Sequence, residues 1–254
     1  MRATLSLIRR EFSAYFLSPI GFVVMAVFLV VTGQLFYLTM ELLTAQGSRG
    51  IDFPMQRMLT DRWFWLVFLF IPPLLTMRLF AEERGSGTLE MLLTAPVKDW
   101  QIVLSKFAAC FLFYVLMWVP TLVYFPVLTN LNIETGEMGI DPWPVAASYL
   151  GLMLAGLMFL ALGLFVSSLF KSQMVAALVS LALGLLFLVV GFWRPEMDSG
   201  SLTYQILFFV TVPLHFERNF TRGIIDTRQI VLYVSVAVFF LFLTIRSLES
   251  RRWR

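Results

Sequence analysis

The chain divides into long apolar runs, each near the roughly 20 residues that a helix needs to cross the hydrocarbon of a bilayer, with most of the charge gathered between them. This constrains the fold more than any single motif. Charged segments cannot lie in hydrocarbon, so they mark the loops, and the runs between them must satisfy their backbone internally as helices. The expected class is an all-α integral membrane protein with six transmembrane helices. The spans are placed at about Pro19–Leu43, Trp63–Leu79, Trp100–Leu128, Trp143–Phe170, Met174–Trp193 and Ile230–Ile245.

Composition supports this. The chain is 59% hydrophobic and 14% charged, with a mean hydropathy of +0.83, against roughly 45–50% apolar and about 25% charged for soluble domains. Six spans leave little of the 254 residues for anything else, so residues 1–254 form one transmembrane domain. The net charge of +3 does not point to nucleic acid, because the basic residues sit at span ends, as topology requires. Cys110 is the only cysteine, which excludes a disulfide or a thiolate metal cluster within one chain.

Ahead of the first span, Leu5, Ile8, Phe12, Tyr15 and Phe16 share one helical face while Arg2, Ser6, Arg9, Arg10 and Ser13 share the other. Residues 1–18 therefore read as an interfacial helix; as a cleaved signal peptide the basic region is too long and so is the apolar run after it. Pro72 and Pro73 inside the second span remove backbone bonds, and a fixed bend suits them better than a hinge. Gly151, Ala155 and Gly156, and then Ala176, Ser180 and Gly184, are small residues at spacings that let helices approach closely. Residues 194–229 are too polar to span, yet Leu202–Val212 is largely apolar and too short to cross. A re-entrant or interfacial hairpin on the extracytoplasmic side is expected there, preferred over a loop folded on the bundle. His215, the only histidine, reads as structural. The tryptophans, Trp118 apart, mark span ends, where amphipathic rings settle.

The most informative stretch is Arg78–Lys106, with eight charged residues. It is expected to be a water-facing loop between the second and third spans. Within it Leu89, Leu92 and Leu93 fall at i, i+3 and i+4, one apolar face of a short helix. Ser86 or Thr88 would cap its start, Glu90 suits the first-turn dipole and Pro96 stops it. Such a helix between two spans is placed to dock on a soluble partner.

With six spans both termini share a side, and that side holds 12 of the 19 Lys and Arg, which makes it cytoplasmic by the positive-inside rule. No charged residue or histidine lies near the middle of an expected span, as ion-coupled transport would require. The sequence also lacks GxxxxGK[ST], so ATP is not bound here through a P-loop. A protein of this kind that drives uphill movement takes its energy from a separate subunit, and the charged loop is where that subunit would push.

The run AEERGSGTLEMLLTAPVKDWQIVLSK, residues 81–106, resembles the membrane subunits of ABC-2 type transporters through Glu83, Gly87, Thr88, Glu90, Leu92, Leu93, Pro96 and Lys106. HFERNFTRGIIDTRQIVLY and the ending LESRRW are most similar to gliding-motility-associated permease subunits. The resemblance covers essentially the whole chain. It implies an inner-membrane protein of a bacterium with an N-terminal elbow helix, six spans, a cytoplasmic coupling loop at residues 81–99 and re-entrant helices at about Leu202–Phe220. It implies two ATP-binding subunits and a second permease copy or paralogue; membrane lipid is a further expected partner, and an extracytoplasmic auxiliary subunit belongs with the alternative given below. ATP and magnesium would be bound by the partner, and this chain would be non-catalytic. The resemblance also implies that Leu89–Ala95 enters a groove of the ATPase, bracketed by Glu82, Glu83, Arg84 and Glu90. The expected function is an ATP-driven export or extrusion permease. The alternative is a mechanotransmitting membrane anchor that acts on extracytoplasmic partners without moving a solute.

Overall fold

A computed structural model of the chain describes residues 2–46, 58–89, 98–127, 141–192, 205 and 209–252. Among these residues the architecture is all-helical, without strands. The helices are α1 (Arg2–Leu17), α2 (Pro19–Gln46), α3 (Arg62–Ser86), α4 (Asp99–Trp118), α5 (Pro142–Leu169), α6 (Gln173–Phe192), α7 (Val212–Arg218) and α8 (Thr227–Arg252), with short 3-10 turns at Pro120–Val123 and Phe220–Arg222. Among the described residues five helical stretches are long and apolar enough to cross a membrane: Pro19–Glu41, Arg62–Ser86, Asp99–Val127, Pro142–Leu169 and Thr227–Ser250. The sixth expected span corresponds to α6, an apolar helix of 20 residues that is not among these five.

Helix ends follow from local chemistry. Ser18 and Pro19 separate α1 from α2, Pro19 being suited to a first helical position where its missing N–H costs nothing. Asp61 accepts from the Trp63 N–H and Asp141 from the Trp143 N–H, capping α3 and α5, as short polar side chains do for the orphan donors of a first turn. The chain continues helically through Pro72 and Pro73, both buried.

The core is aromatic and lies where α3, α4, α5 and α7 meet. Trp65, Phe68, Tyr114, Phe159 and Phe216 are almost fully buried and meet mostly edge-on, as in Trp65 against Phe216, with centroids 4.8 Å apart, an arrangement the ring quadrupoles favour. The small residues on α5 allow this: a Cβ on Gly156 would stand 2.3 Å from the Tyr114 ring, and the Tyr114 hydroxyl donates to Leu152 O at 2.9 Å. Trp63, Trp100 and Trp143 are exposed and Trp118 is buried, in line with expectation, but Trp65 is buried too. It lies one turn inside α3 and donates its indole N–H to Leu59 O at 2.8 Å, so it belongs to the core rather than to the interface.

The described part of the expected hairpin is folded into the bundle. His215, Phe216 and Phe220 are buried, His215 Nδ1 lies 2.8 Å from the Tyr233 hydroxyl of α8, and Trp143 donates to Gly223 O at 2.8 Å. His215 thus has a structural setting, buried within the bundle.

Candidate functional site

The charged stretch is not a single water-facing loop. Its first part, Arg78–Ser86, is the last two turns of α3, and its last part, Asp99–Lys106, is the first two turns of α4. The deepest of these charges are matched inside the protein, while Glu82 and Lys98 remain exposed. Lys106, with only 2% of its side chain exposed, lies 2.7 Å from Glu83 Oε1 and 3.3 Å from Glu11 Oε2. Its Nζ also lies 5.5 Å from the centroid of Phe80. A buried ammonium persists only where pairing and hydrogen bonding replace its lost hydration, and here α1 and α3 each supply a carboxylate.

Around this cluster the tip of α3 sends successive charges to different elements. Arg78 Nε donates to Glu82 at 3.0 Å, and its Nη1 donates to Ser18 Oγ at the break between α1 and α2. Arg84 donates to Ser168 O at 2.8 Å, satisfying a carbonyl at the end of α5. One turn further in, Ser167 Oγ accepts from the N–H groups of Phe80 and Ala81 and donates to Met77 O, all within 3.2 Å, so α5 inserts a hydroxyl into the backbone ladder of α3.

The elbow is fixed to the same place. Phe16 meets Phe113 of α4 edge-on and Tyr15 stacks on it at 4.7 Å. The Tyr15 hydroxyl donates to Leu75 O at 3.0 Å. Desolvation of the phenol, with the Cys110 thiol beside it, holds its pKa well above the ordinary tyrosine value, so it remains a donor. Leu5 is exposed although it shares the expected apolar face.

The motif residues divide as follows. Gly87 ends α3 at φ 75°, the left-handed conformation that glycine adopts without a Cβ penalty. Thr88 lies next to it, its hydroxyl 2.9 Å from Ser86 Oγ. Leu89, expected on the face offered to a partner, is 6% exposed and packs into the core of this chain. Glu82, Glu83 and Arg84 gather at the tip of α3 with the bonds given above. Glu90, Leu92, Leu93 and Pro96 lie outside the described residues.

Glu11 was missed as a site residue, as was the burial of Lys106. Both left a trace in the sequence. Glu11 is the only acid in an otherwise basic elbow and lies one helical turn before Tyr15. Lys106 shares a helical face with Val103, Cys110 and Phe113, which are all buried. Among the described residues no group of three His, Cys, Asp or Glu is arranged to hold a metal ion.

Of the polar groups Gln34, Thr76, Thr121 and Ser167 in the spans, three are committed to helix contacts. Thr76 bonds to Pro72 O, Thr121 to Trp118 O and the Tyr149 hydroxyl, and Ser167 to α3. Gln34 alone of that set is exposed.

A family model described as ABC-2 family transporter protein matches residues 55–245, well over half of the chain. No curated protein matches it.

Proposed function

Since this chain belongs to the ABC-2 family of transporter proteins, and is therefore a multi-pass permease subunit of an ABC transporter, we propose that it couples ATP hydrolysis in a partner subunit to export or extrusion across a bacterial inner membrane. The observation that carries the coupling is the buried Glu83–Lys106–Glu11 cluster. It joins the root of the loop at residues 81–99 to both the elbow and the following span.

In this reading α6 is a sixth span, both termini and the loop face the cytoplasm, and the segment before α8 forms the re-entrant element. The ATPase grips the loop through Leu92, Leu93 and the charges of Glu82 and Glu90, with Pro96 closing the short helix. ATP and Mg²⁺ are bound by two ATPase copies, and this chain, which has no P-loop, is not itself catalytic. When the nucleotide sites close, displacement at Gly87 and Thr88 is carried by the tip of α3. Arg84, Glu83 and Arg78 pass it to α5, α4 and the elbow, because a buried ion pair resists separation far more than an exposed one.

A second permease copy or paralogue is part of this reading. Gln34 is exposed on α2 beside Val27, Val30 and Leu38. A polar amide on a lipid-height face is better satisfied against another helix than by hydrocarbon. The ending LESRRW supports placing the chain near gliding-motility-associated permeases.

The test is co-purification with the ATPase and assay of coupled hydrolysis. Glu90→Arg and Leu92→Asp are expected to leave the chain inserted and to abolish coupling; wild-type coupling in either variant would overturn the reading. The alternative, a mechanotransmitter acting on an extracytoplasmic auxiliary subunit without moving a solute, is favoured by one observation. The polar groups Thr76, Thr121 and Ser167 are all engaged in helix contacts, which leaves them no role in lining a polar path. A large extracytoplasmic companion in the purified assembly would select it.

A further inference from the structure

Between α1, α2 and α3 lies a cavity of about 410 Å³, whose charged wall includes the cluster to which the coupling is assigned. One wall is charged: Glu11, Arg78, Glu82, Glu83 and Lys106. The other is apolar and includes Ile20, Val24, Leu74 and Leu75. The deeper charges are matched in the Lys106 cluster. The outer pair, Arg78 and Glu82, lies at the mouth with 32% and 47% of the side chains exposed. Arg78 offers five N–H donors, of which Glu82 and Ser18 engage two.

Two further facts define what fits. First, Ile20 and Leu74 are themselves exposed, so the apolar wall reaches the surface of α2 and α3, on the flank of two spans. A ligand with an alkyl chain has a way in from the membrane. Second, the wall carries no excess of cations. Two cations, Arg78 and Lys106, face three carboxylates, Glu11, Glu82 and Glu83. Such a wall has no surplus positive charge for an anionic head, and it presents separate sites for both ends of a zwitterion.

We propose that this cavity binds a phospholipid with a zwitterionic, primary-ammonium headgroup, of the phosphatidylethanolamine class. Its phosphate lies on Arg78, its ammonium on Glu82, and its first methylenes run along Leu74 and Ile20. The ammonium is specified because its N–H groups give charge-assisted bonds to a carboxylate, which a trimethylated choline cannot.

Native mass spectrometry of the full-length chain from detergent, with defined lipids added, tests this. The wild type is expected to retain one phosphatidylethanolamine about tenfold better than phosphatidylcholine or phosphatidylglycerol, equivalent to about 1.4 kcal/mol. Ala14→Trp, which fills the cavity from an exposed position on α1, is expected to erase the preference. Glu82→Lys, which makes the mouth positive, is expected to turn it toward phosphatidylglycerol. Soluble phosphoethanolamine is expected not to compete, since it lacks the chain that meets the apolar wall. Equal retention of the three lipids by the wild type overturns the proposal. So does an undiminished preference in Ala14→Trp, an unaltered one in Glu82→Lys, or competition by the free headgroup. None of these readouts involves an ATPase, so failure here leaves the coupling reading standing.

Discussion

Lys106 shows how a single residue reshapes the site. It is one cation shared by two carboxylates, each mostly buried (side-chain exposure 13% for Glu11 and 21% for Glu83). Removing the cation leaves Glu83 without its counter-charge and Glu11 with the exposed Arg10 alone, and breaking a buried pair in that way costs about 3 kcal/mol. Lys106→Met is therefore expected to lower the unfolding free energy of the solubilised protein by about that amount. Adding Glu83→Gln should restore about 1 kcal/mol, since the two residues are in contact and their effects do not add. Denaturant unfolding of both single variants and the double variant checks this; strictly additive losses would show that the contact carries no coupling. Ser167 makes the second residue-scale case. Ser167→Ala removes three hydrogen bonds to the α3 backbone and is expected to cost about 1–2 kcal/mol, read as a lower midpoint in the same titration.

At the scale of elements, two glycines decide how helices end and meet. Gly87 stops α3 in a left-handed turn, and a Cβ there costs about 1–2 kcal/mol. The site is open, with nothing within 4 Å of the added atom, so strain at the turn is the whole effect. Gly87→Ala is expected to weaken coupled hydrolysis more than it lowers thermal stability, because the turn aims the loop and buries little. Gly156→Val is the opposite case: the added atoms meet the fully buried Tyr114 ring. Overpacking of this kind costs about 1–3 kcal/mol, seen as a lower melting temperature whether or not the ATPase is present. The elbow is an element joined by its side chains to α3 and α4. For Tyr15→Phe the expected loss is about 1 kcal/mol, one hydrogen bond to Leu75 O.

For the whole molecule, the arrangement of helix ends makes a topological prediction. The tip of α3, the turn between α5 and α6 and the end of α8 belong to one side if α6 crosses; the α5 start and the Gly223 turn belong to the other. Single cysteines at Ser86, Ser250 and Arg222, all exposed, are expected to react with an impermeant maleimide from the cytoplasm for the first two and from outside for the third. Cys110 is buried and should stay silent. Labelling of Ser86→Cys and Ser250→Cys from opposite sides would mean that α6 does not cross, and the positions of the loop and the tail would have to be reassigned.

The sequence by itself determined the all-helical class and the starts of most long helices, because hydrocarbon tolerates only internally bonded backbone, but it ended the second and last spans at Leu79 and Ile245, whereas the helices run on to Ser86 and Arg252. It also offered residues 81–99 as a coupling loop, through residue types that stand close together in the chain. What it could not determine was which charges are hidden. Charge close in sequence reads as solvated, whereas the burial of Lys106 depends on Glu11, 95 positions earlier, and on Glu83 across a helix contact. The burial of Trp65 and of Leu89 is likewise a matter of which neighbours arrive. Tertiary packing alone decided those, since desolvation is set by the surroundings of a side chain and not by its place in the chain.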